Sequence, residues 1–552
     1  MMPHFATDSQ IAVSDPSASV WVAASAGTGK THVLIDRLLR LLLSGSAPNQ
    51  ILCLTFTRAA AAEMSNRLYR DLAKWVVLED SSLQEVLQGL TGRVPTEEEM
   101  ALARRLFAQV LDAPGSLKIQ TIHAFCESLL SRFPLESDIP PHFSVIDERA
   151  SMELLSEARD QMLTRARVDQ GLVGSLHHLT AHVSEGRFSK VAHELAMERG
   201  RLEKLFKHFD GSWTALSTAI ESLLGLQPGE DESAIIAAAS GLPDAETQEL
   251  RQVAEAMLLG GKTDRRHGKV IIDWIDHDKA RVGMFPTYLS AFITAQGSRR
   301  ASLIHRDALN HANDDAELLL SKEASRLEII RDRLKSAQTA SDTMALLRLG
   351  YTFVSAYDNE KRGRALLDYD DLITFARQLL SRPGIAPWIL YKLDGGLDHV
   401  LVDEAQDTNE DQWQVIAALT DEFFAGQGAR EERRTIFAVG DAKQSIYSFQ
   451  RADPQIFSQW RAIFGTRVEA AGEVWRALEL VHSYRSTPPI LSLVDEVFRP
   501  EEARAGLVFD GVDVDHIPHR VGQSGLVQLW PTDVPEDLEE PGIWEPPVAQ
   551  QH

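Results

Sequence analysis

The sequence predicts an α/β fold: a parallel sheet with helices on both faces, interrupted by a large inserted α-helical domain. Three observations predict it. A small-residue loop at 24–31 follows an apolar strand-like run and opens a helical run. Further apolar runs alternate with helices and end in polar clusters, the pattern of a parallel sheet with functional loops at its strand carboxyl ends. From about 148 to 360 the strand-like runs nearly vanish and helical periodicity takes over, as in Met152, Leu154, Leu155, Ala158 and Met162.

Taken in order, Ser19 to Ala23 is the first strand-like run, and Val33 to Leu43 is helical. Between them stands Ala24-Ser25-Ala26-Gly27-Thr28-Gly29-Lys30-Thr31. Strand, small-residue loop, Lys-Thr and helix is the context of a phosphate-binding loop. Small residues let backbone N–H groups close around phosphate oxygens, and the helix N-terminus adds its positive dipole end. Lys30 would sit on the β- and γ-phosphates and Thr31 would hold Mg²⁺. Ala24 stands where such loops usually begin with glycine. Taken alone, the loop favours phosphate binding over the lesser alternative of a Gly-Lys-Thr turn capping an ordinary helix; the rest of the sequence decides.

Residues 50–56 read as a buried strand, followed by a helix from near Arg58 to about Val77. Residues 80–97 read as polar and turn-rich, Glu97 to Leu111 as helix, and Leu117 to Gln120 as a third strand. Thr121-Ile122-His123 then heads another helix. Within the helical stretch two linkers are expected, Leu226 to Ala245 and Gly260 to Lys269. The second carries Lys262, Arg265, Arg266, His267 and Lys269, a cluster that reads as a solvated loop rather than a phosphate-backbone contact.

The α/β pattern returns at Asp368 to Leu372. His399 to Val402 is a strand ending in Asp403-Glu404-Ala405-Gln406-Asp407, and Thr435 to Val439 a strand ending in Gly440-Asp441. Leu478 to Val481 leads to Ser483-Tyr484-Arg485-Ser486. An apolar strand ending in Asp-Glu downstream of a phosphate loop suits a metal-binding Asp403 and a Glu404 that polarises attacking water. Gln444 could sense a γ-phosphate, Arg485 could stabilise charge on a transferring phosphoryl group, and Tyr484 could stack on adenine. Phe56, Tyr447 and Phe449 are stacking platforms for unpaired bases or core residues. Thr55, Thr57, Arg58 and His123 could bond phosphate oxygens from helix N-termini.

Composition narrows the classes. The chain of 552 residues is 44% hydrophobic, long enough for more than one domain with ample core. Its net charge of −24 excludes holding nucleic acid by bulk positive charge, so a DNA site would be a local groove. Two cysteines, Cys53 and Cys126, are too few for a disulfide framework or an iron–sulfur cluster. No run reaches the length of a membrane span and no signal-peptide pattern stands at the N-terminus, so a cytoplasmic location is expected. From 531 to 552 five prolines and six acidic residues stand without Lys or Arg, a composition that resists packing.

The motifs form a recognisable set. Gln10; the A-x-x-G-T-G-K-T loop; Leu54-Thr55-Phe56-Thr57-Arg58-Ala59-Ala60-Ala61-Ala62-Glu63-Met64; Thr121-Ile122-His123; Asp403 to Asp407; Gly440-Asp441-Ala442-Lys443-Gln444-Ser445-Ile446-Tyr447; and Tyr484-Arg485-Ser486 occur in the order of UvrD/Rep-type DNA helicases. The chain resembles that family from about residue 8 to 530, and looks most like its RecB/AddA branch of AddAB-type helicase-nucleases. The resemblance implies ATP and Mg²⁺ bound between two RecA-like domains, with hydrolysis driving 3′-to-5′ stepping along single-stranded DNA. It also implies duplex DNA ends as substrate in double-strand break repair, an AddB-like nuclease/helicase partner, and no membrane. Carried over, Gln10 reads adenine; Ala24 to Thr31 cradle phosphate; Thr31 and Asp403 hold metal; Glu404 is the base; Gln444 and Arg485 face the γ-phosphate. Tyr484 stacks on the base, while Thr55, Phe56, Thr57, Arg58, His123, Tyr447 and Phe449 lie along the DNA path. The implied division is a RecA-like P-loop NTPase domain in two parts, 1–147 and 361–482, around an insert at 148–360. A second RecA-like domain begins at 483–530 and an acidic Pro-rich tail follows at 531–552. Since that second domain should run well past Arg485, the chain looks like an amino-terminal half. An ATP-binding scaffold without autonomous unwinding is the competing function. Relatives often carry Arg-Gly after the aromatic at 449, where this chain has Gln450-Arg451.

Overall fold

The computed structural model describes residues 8–113, 117–181, 183–392, 396–424, 433–447, 451–506 and 515–532. Phe449 and residues 533–552 therefore lie outside the described residues. The chain forms two compact units, one from Met1–Phe143 with Tyr369–His552 and the other from Ser144–Asp368.

Strands in chain order are β1 (Ser19–Ala24), β2 (Ile51–Thr55), β3 (Lys118–Thr121), β4 (Ser144–Val145), β5 (Leu366–Leu367), β6 (His399–Val402), β7 (Thr435–Gly440), β8 (Trp475–Leu480), β9 (His482–Ser483) and β10 (Ile517–Pro518). A six-stranded sheet of order β3-β2-β6-β7-β1-β8 is the frame of the first unit, and every pairing in it is parallel. β2, β6 and β7 are buried at every residue, as strands covered on both faces must be. Alternation along β1 sorts the two faces. Val20, Val22 and Ala24 face a core filled by Val33, Leu34 and Leu38 of the helix Lys30–Leu43 and by Met64, Leu68 and Leu72 of Arg58–Val77. Trp21 faces the other way, stacked at 5.2 Å on Trp413 and lying 4.9 Å from Phe457. These come from the helices Glu410–Thr420 and Pro454–Ala470, and Trp460 extends the stack 6.0 Å beyond Trp413. After the sheet, β9 pairs in parallel with β10, with the helix Pro488–Val497 between them in sequence.

One expectation in this unit fails. Residues 80–97 are not mainly turns: Asp80–Thr91 is a helix. Leu83, Leu87 and Leu90 recur at helical spacing and are buried, and Gly92 (φ +77°) ends the helix in the left-handed conformation. Arg104 pins the preceding corner, donating to the carbonyls of Val76 at 2.9 Å and Leu78 at 2.7 Å and pairing with Asp80 at 2.6 Å.

The second unit is helical and is built on one 48-residue helix, Ala316–Gly363, about 70 Å long at ~1.5 Å per residue. Its first half gives Leu320, Leu327 and Ile330 to a core shared with the helices Asp244–Leu258, Lys262–Asp276 and Arg281–Phe292. Its second half gives Leu349, Phe353 and Tyr357 to a core shared with Glu148–Ala166 and Gln170–Thr180. β4 and β5 pair side by side where the unit begins and ends. Both expected linkers contain helix. Glu232–Ser240 is capped by Asp231, which accepts the Ala234 N–H at 2.8 Å, and buries Ile235 and Ala239. The basic cluster at 262–269 lies on the opening turns of Lys262–Asp276, not on a loop. Asp264, His267, Gly268, Ile271, Trp274 and Ile275 form its buried face. Gly268 is where this helix crosses its neighbour: a Cβ there would stand 2.7 Å from the Ala254 carbonyl oxygen and 2.9 Å from the Met257 Cβ.

Candidate active site

The loop 24–31 leaves β1 at the carboxyl edge of the sheet, and Gly29 caps the helix that begins at Lys30. Gly27 (φ +76°) and Gly29 (φ +87°) are both left-handed, a conformation glycine adopts without steric cost. Thr28 ties the loop to itself, its Oγ1 donating to the Ser25 carbonyl at 2.8 Å. Gln10, buried on the helix Asp8–Val13, brings its Nε2 to within 3.6 Å of where a Cβ on Gly29 would lie. Tyr484 donates its N–H to the Gly27 carbonyl at 2.9 Å. A Cβ on Gly27 would lie 2.6 Å from the Arg485 Cβ, so only glycine lets the 483–485 segment cross the loop there. Arg485 is exposed, and the Tyr484 ring packs 4.6 Å from His519, a neighbour that no sequence motif signals.

Facing the loop is the end of β6. The Asp403 N–H donates to the Leu54 carbonyl at 2.8 Å, extending the ladder by one residue and burying its side chain. The chain then turns through Glu404 at φ +48°, a left-handed non-glycine position that costs on the order of 1–3 kcal/mol. That turn aims the Glu404 carboxylate at the loop, where the Lys30 Nζ donates to its Oε2 at 3.2 Å. Gln406 donates to the same oxygen at 2.8 Å. From β7, Asp441 accepts the Gln444 side-chain amide at 2.8 Å. Thr31 is half-buried one residue after Lys30.

The electrostatics show carboxylates short of cation. Burial, then the neighbouring Glu404 charge, pushes Asp403 up to about 7. The same two causes push Asp407 up to about 6, and burial raises Asp441. Lys30 opposes all three shifts. Among the described residues no group of three or more His, Cys, Asp or Glu could cage a metal ion. The Thr31 hydroxyl and the Asp403 carboxylate are oxygen donors of the kind Mg²⁺ takes beside substrate phosphates.

A second cluster lines the same sheet edge. Phe56, just past β2, and Tyr447, beyond β7, pack at 4.2 Å; both are half-buried, so neither is a core residue. His123 opens the helix Ile122–Arg132 and meets Tyr369 edge-on at 5.4 Å, and burial lowers its pKa. Thr57 and Thr121 are N-caps, accepting the N–H of Ala60 and Ala124, while the Thr55 hydroxyl donates to the Thr57 carbonyl at 3.0 Å. Arg58 is exposed at the helix start. Arg451, left-handed at φ +67°, pairs with Asp370 at 2.6 Å. Sequence reasoning missed Asp370 and the buried polar links through Gln406 and Asp441; a Gln between two carboxylates was the available signal.

The sequence matches the family described as UvrD/REP helicase N-terminal domain over residues 5–464. The chain belongs to that family. Its relatives include AddA of the ATP-dependent helicase/nuclease of Lactobacillus helveticus, 25% identical over 90% of this chain and 40% of the relative. The AddA protein from Syntrophomonas wolfei is 26% identical over 90% of this chain and 38% of its own length. That of Latilactobacillus sakei is 26% identical over 90% and 55%. The chain thus spans about 40% of the length of the first curated relatives it matches. In this UvrD/REP-family chain no helix among the described residues is long and apolar enough to cross a membrane.

Proposed function

We propose that this chain carries the ATP-hydrolysing part of a cytoplasmic DNA helicase-nuclease of the AddA kind. It would use ATP to step 3′-to-5′ on single-stranded DNA from duplex ends in double-strand break repair, beside an AddB-like partner. The observation that carries the reading is the Lys30–Glu404 pair at 3.2 Å, which joins the phosphate loop to the end of β6. Terminal phosphate oxygens are stronger partners for the ammonium than a half-exposed carboxylate. Nucleotide would therefore draw Lys30 away and leave Glu404 to orient water. Thr31 and Asp403 would hold Mg²⁺, which supplies charge neutralisation between the phosphates. Gln444 would face the terminal phosphate, Arg485 would approach from the far side of Gly27, and Gln10 and Tyr484 would take the base. The aromatic pair Phe56–Tyr447 and His123 offer stacking surfaces for unpaired bases, with Thr55, Thr57 and Arg58 at the adjoining helix start.

Lys30→Ala tests the loop. It should weaken Mg·ATP binding at least about tenfold, one decade being roughly 1.4 kcal/mol, by nucleotide titration. Equal affinity in variant and parent would remove the phosphate-loop assignment.

A further inference from the structure

Gln406 is 2% exposed, and both ends of its carboxamide are engaged. Its Nε2 donates to Glu404 Oε2 at 2.8 Å and to Asp407 Oδ2 at 3.2 Å, and its Oε1 accepts the Asp441 N–H at 2.8 Å. The orientation of the amide is fixed by chemistry: only nitrogen can face two carboxylates and only oxygen can face an N–H. Asp441 in turn holds Gln444 twice, accepting its side-chain amide at 2.8 Å and its backbone N–H at 2.9 Å. Glu404, Gln406, Asp441 and Gln444 thus form one hydrogen-bonded chain from the end of β6 to the end of β7. Gly440 makes room for it, since a Cβ there would stand 2.7 Å from Gln406 Oε1.

We propose that Gln406 is a positioning residue that fixes Glu404 and Gln444 in one relation, so that both meet the terminal phosphate together. The proposal rests on the reading of this site as a nucleotide site. Glu404 sits in a strained left-handed turn, and such turns persist only where neighbours over-determine them. Lys30 and Gln406 both donate to its Oε2. Once phosphate takes the lysine, the amide still holds the carboxylate. A neutral double donor suits this place: a cation would compete with Lys30 for Glu404, and asparagine is one methylene too short to keep all three bonds.

The test is triphosphate preference in the chain itself, which needs no turnover. Affinities for Mg·AMP-PNP and Mg·ADP are measured by calorimetry for the parent, Gln406→Leu, Gln444→Ala and the double variant, with thermal melting as a check on folding. Gln406→Leu should keep ADP affinity within about twofold and lose about tenfold of the triphosphate preference, the size of one hydrogen bond to a charged group. The double variant should lose no more than Gln444→Ala alone, because residues acting through one another are non-additive. If Gln406→Leu melts below the parent, the same comparison is read on Gln406→Met, which keeps the length of the side chain without adding charge and loses both donors. Additive losses, an unchanged preference, or equal loss of both nucleotides would overturn the proposal. Lys30→Ala binding both nucleotides like the parent would instead overturn the site reading beneath it.

Discussion

The two units treat buried charge in opposite ways. In the helical unit each of two buried carboxylates is answered by its own neighbours. Asp368 accepts from the Tyr357 hydroxyl at 2.9 Å and from Lys361 at 3.0 Å and also pairs with Arg199. Glu323 accepts from Tyr288 at 2.6 Å and Arg326 at 2.7 Å. In the α/β unit Asp403 and Asp407 crowd around Glu404 with Lys30 as an opposing cation, and their pKa values rise; burial raises Asp441 as well, against Lys443 at 3.8 Å. A satisfied cluster is structural. A cluster held short of positive charge is where, on the function proposed above, Mg²⁺ would supply it.

The sharpest way to break this comparison is Glu404→Gln. The amide keeps the shape, so Mg·ATP binding should persist, while DNA-stimulated hydrolysis by a protein of the relatives' full length should fall by about 10²–10⁴. Parent-like turnover would move the base elsewhere. Asp368→Leu is the counterpart in the helical unit. It removes the carboxylate that Lys361 and Arg199 share, and breaking a buried pair costs about 3–5 kcal/mol, so denaturant melting should shift strongly while nucleotide affinity stays put. A shift in nucleotide affinity as large as the stability loss would contradict the division. Gly268→Leu probes packing alone: overfilling the helix crossing should cost about 1–3 kcal/mol, again without touching nucleotide binding. An unchanged melting curve would mean that the crossing yields.

The smallest effect concerns acid. Burial, then the Arg37 guanidinium, lowers His399 to about 3, below the 6.5 it regains on unfolding. The unfolded chain therefore binds more protons between those values, and stability falls as pH drops below about 6.5. His399→Gln should be near-neutral at pH 7 and relieve the parent by about 1–2 kcal/mol at pH 5, one proton being worth ~1.4 kcal/mol per pH unit. Parallel loss of stability in variant and parent between pH 7 and 5 would show that this histidine is not the sensor.

The sheet was legible because its strands are buried on both faces and so read as unbroken apolar runs; Ile51–Thr55 and His399–Val402 could hardly be anything else. The strand, tight loop and helix around residues 24–31 were legible because the two glycines sit between an apolar run and a helical one, where the chain turns through the left-handed region. The helix Asp80–Thr91 was not, because only its three leucines are buried and its exposed face reads like a turn. The helix under the basic cluster was hidden by Gly260, Gly261 and Gly268, which look like linker residues until the crossing at Ala254 shows what Gly268 is for. The Gln406–Asp441 link could not be read: it joins residues 35 apart in sequence, whose meeting is set by the sheet order.

The ends of the helical unit bear on how the molecule can be taken apart. β4 and β5 place Ser144 beside Leu366 and Val145 beside Leu367, so the first and last residues of the unit are strand neighbours. A segment whose ends meet can be excised as one continuous gene piece, closed into a ring with a short linker, or reopened at a surface loop. The helical unit is in that sense a cassette.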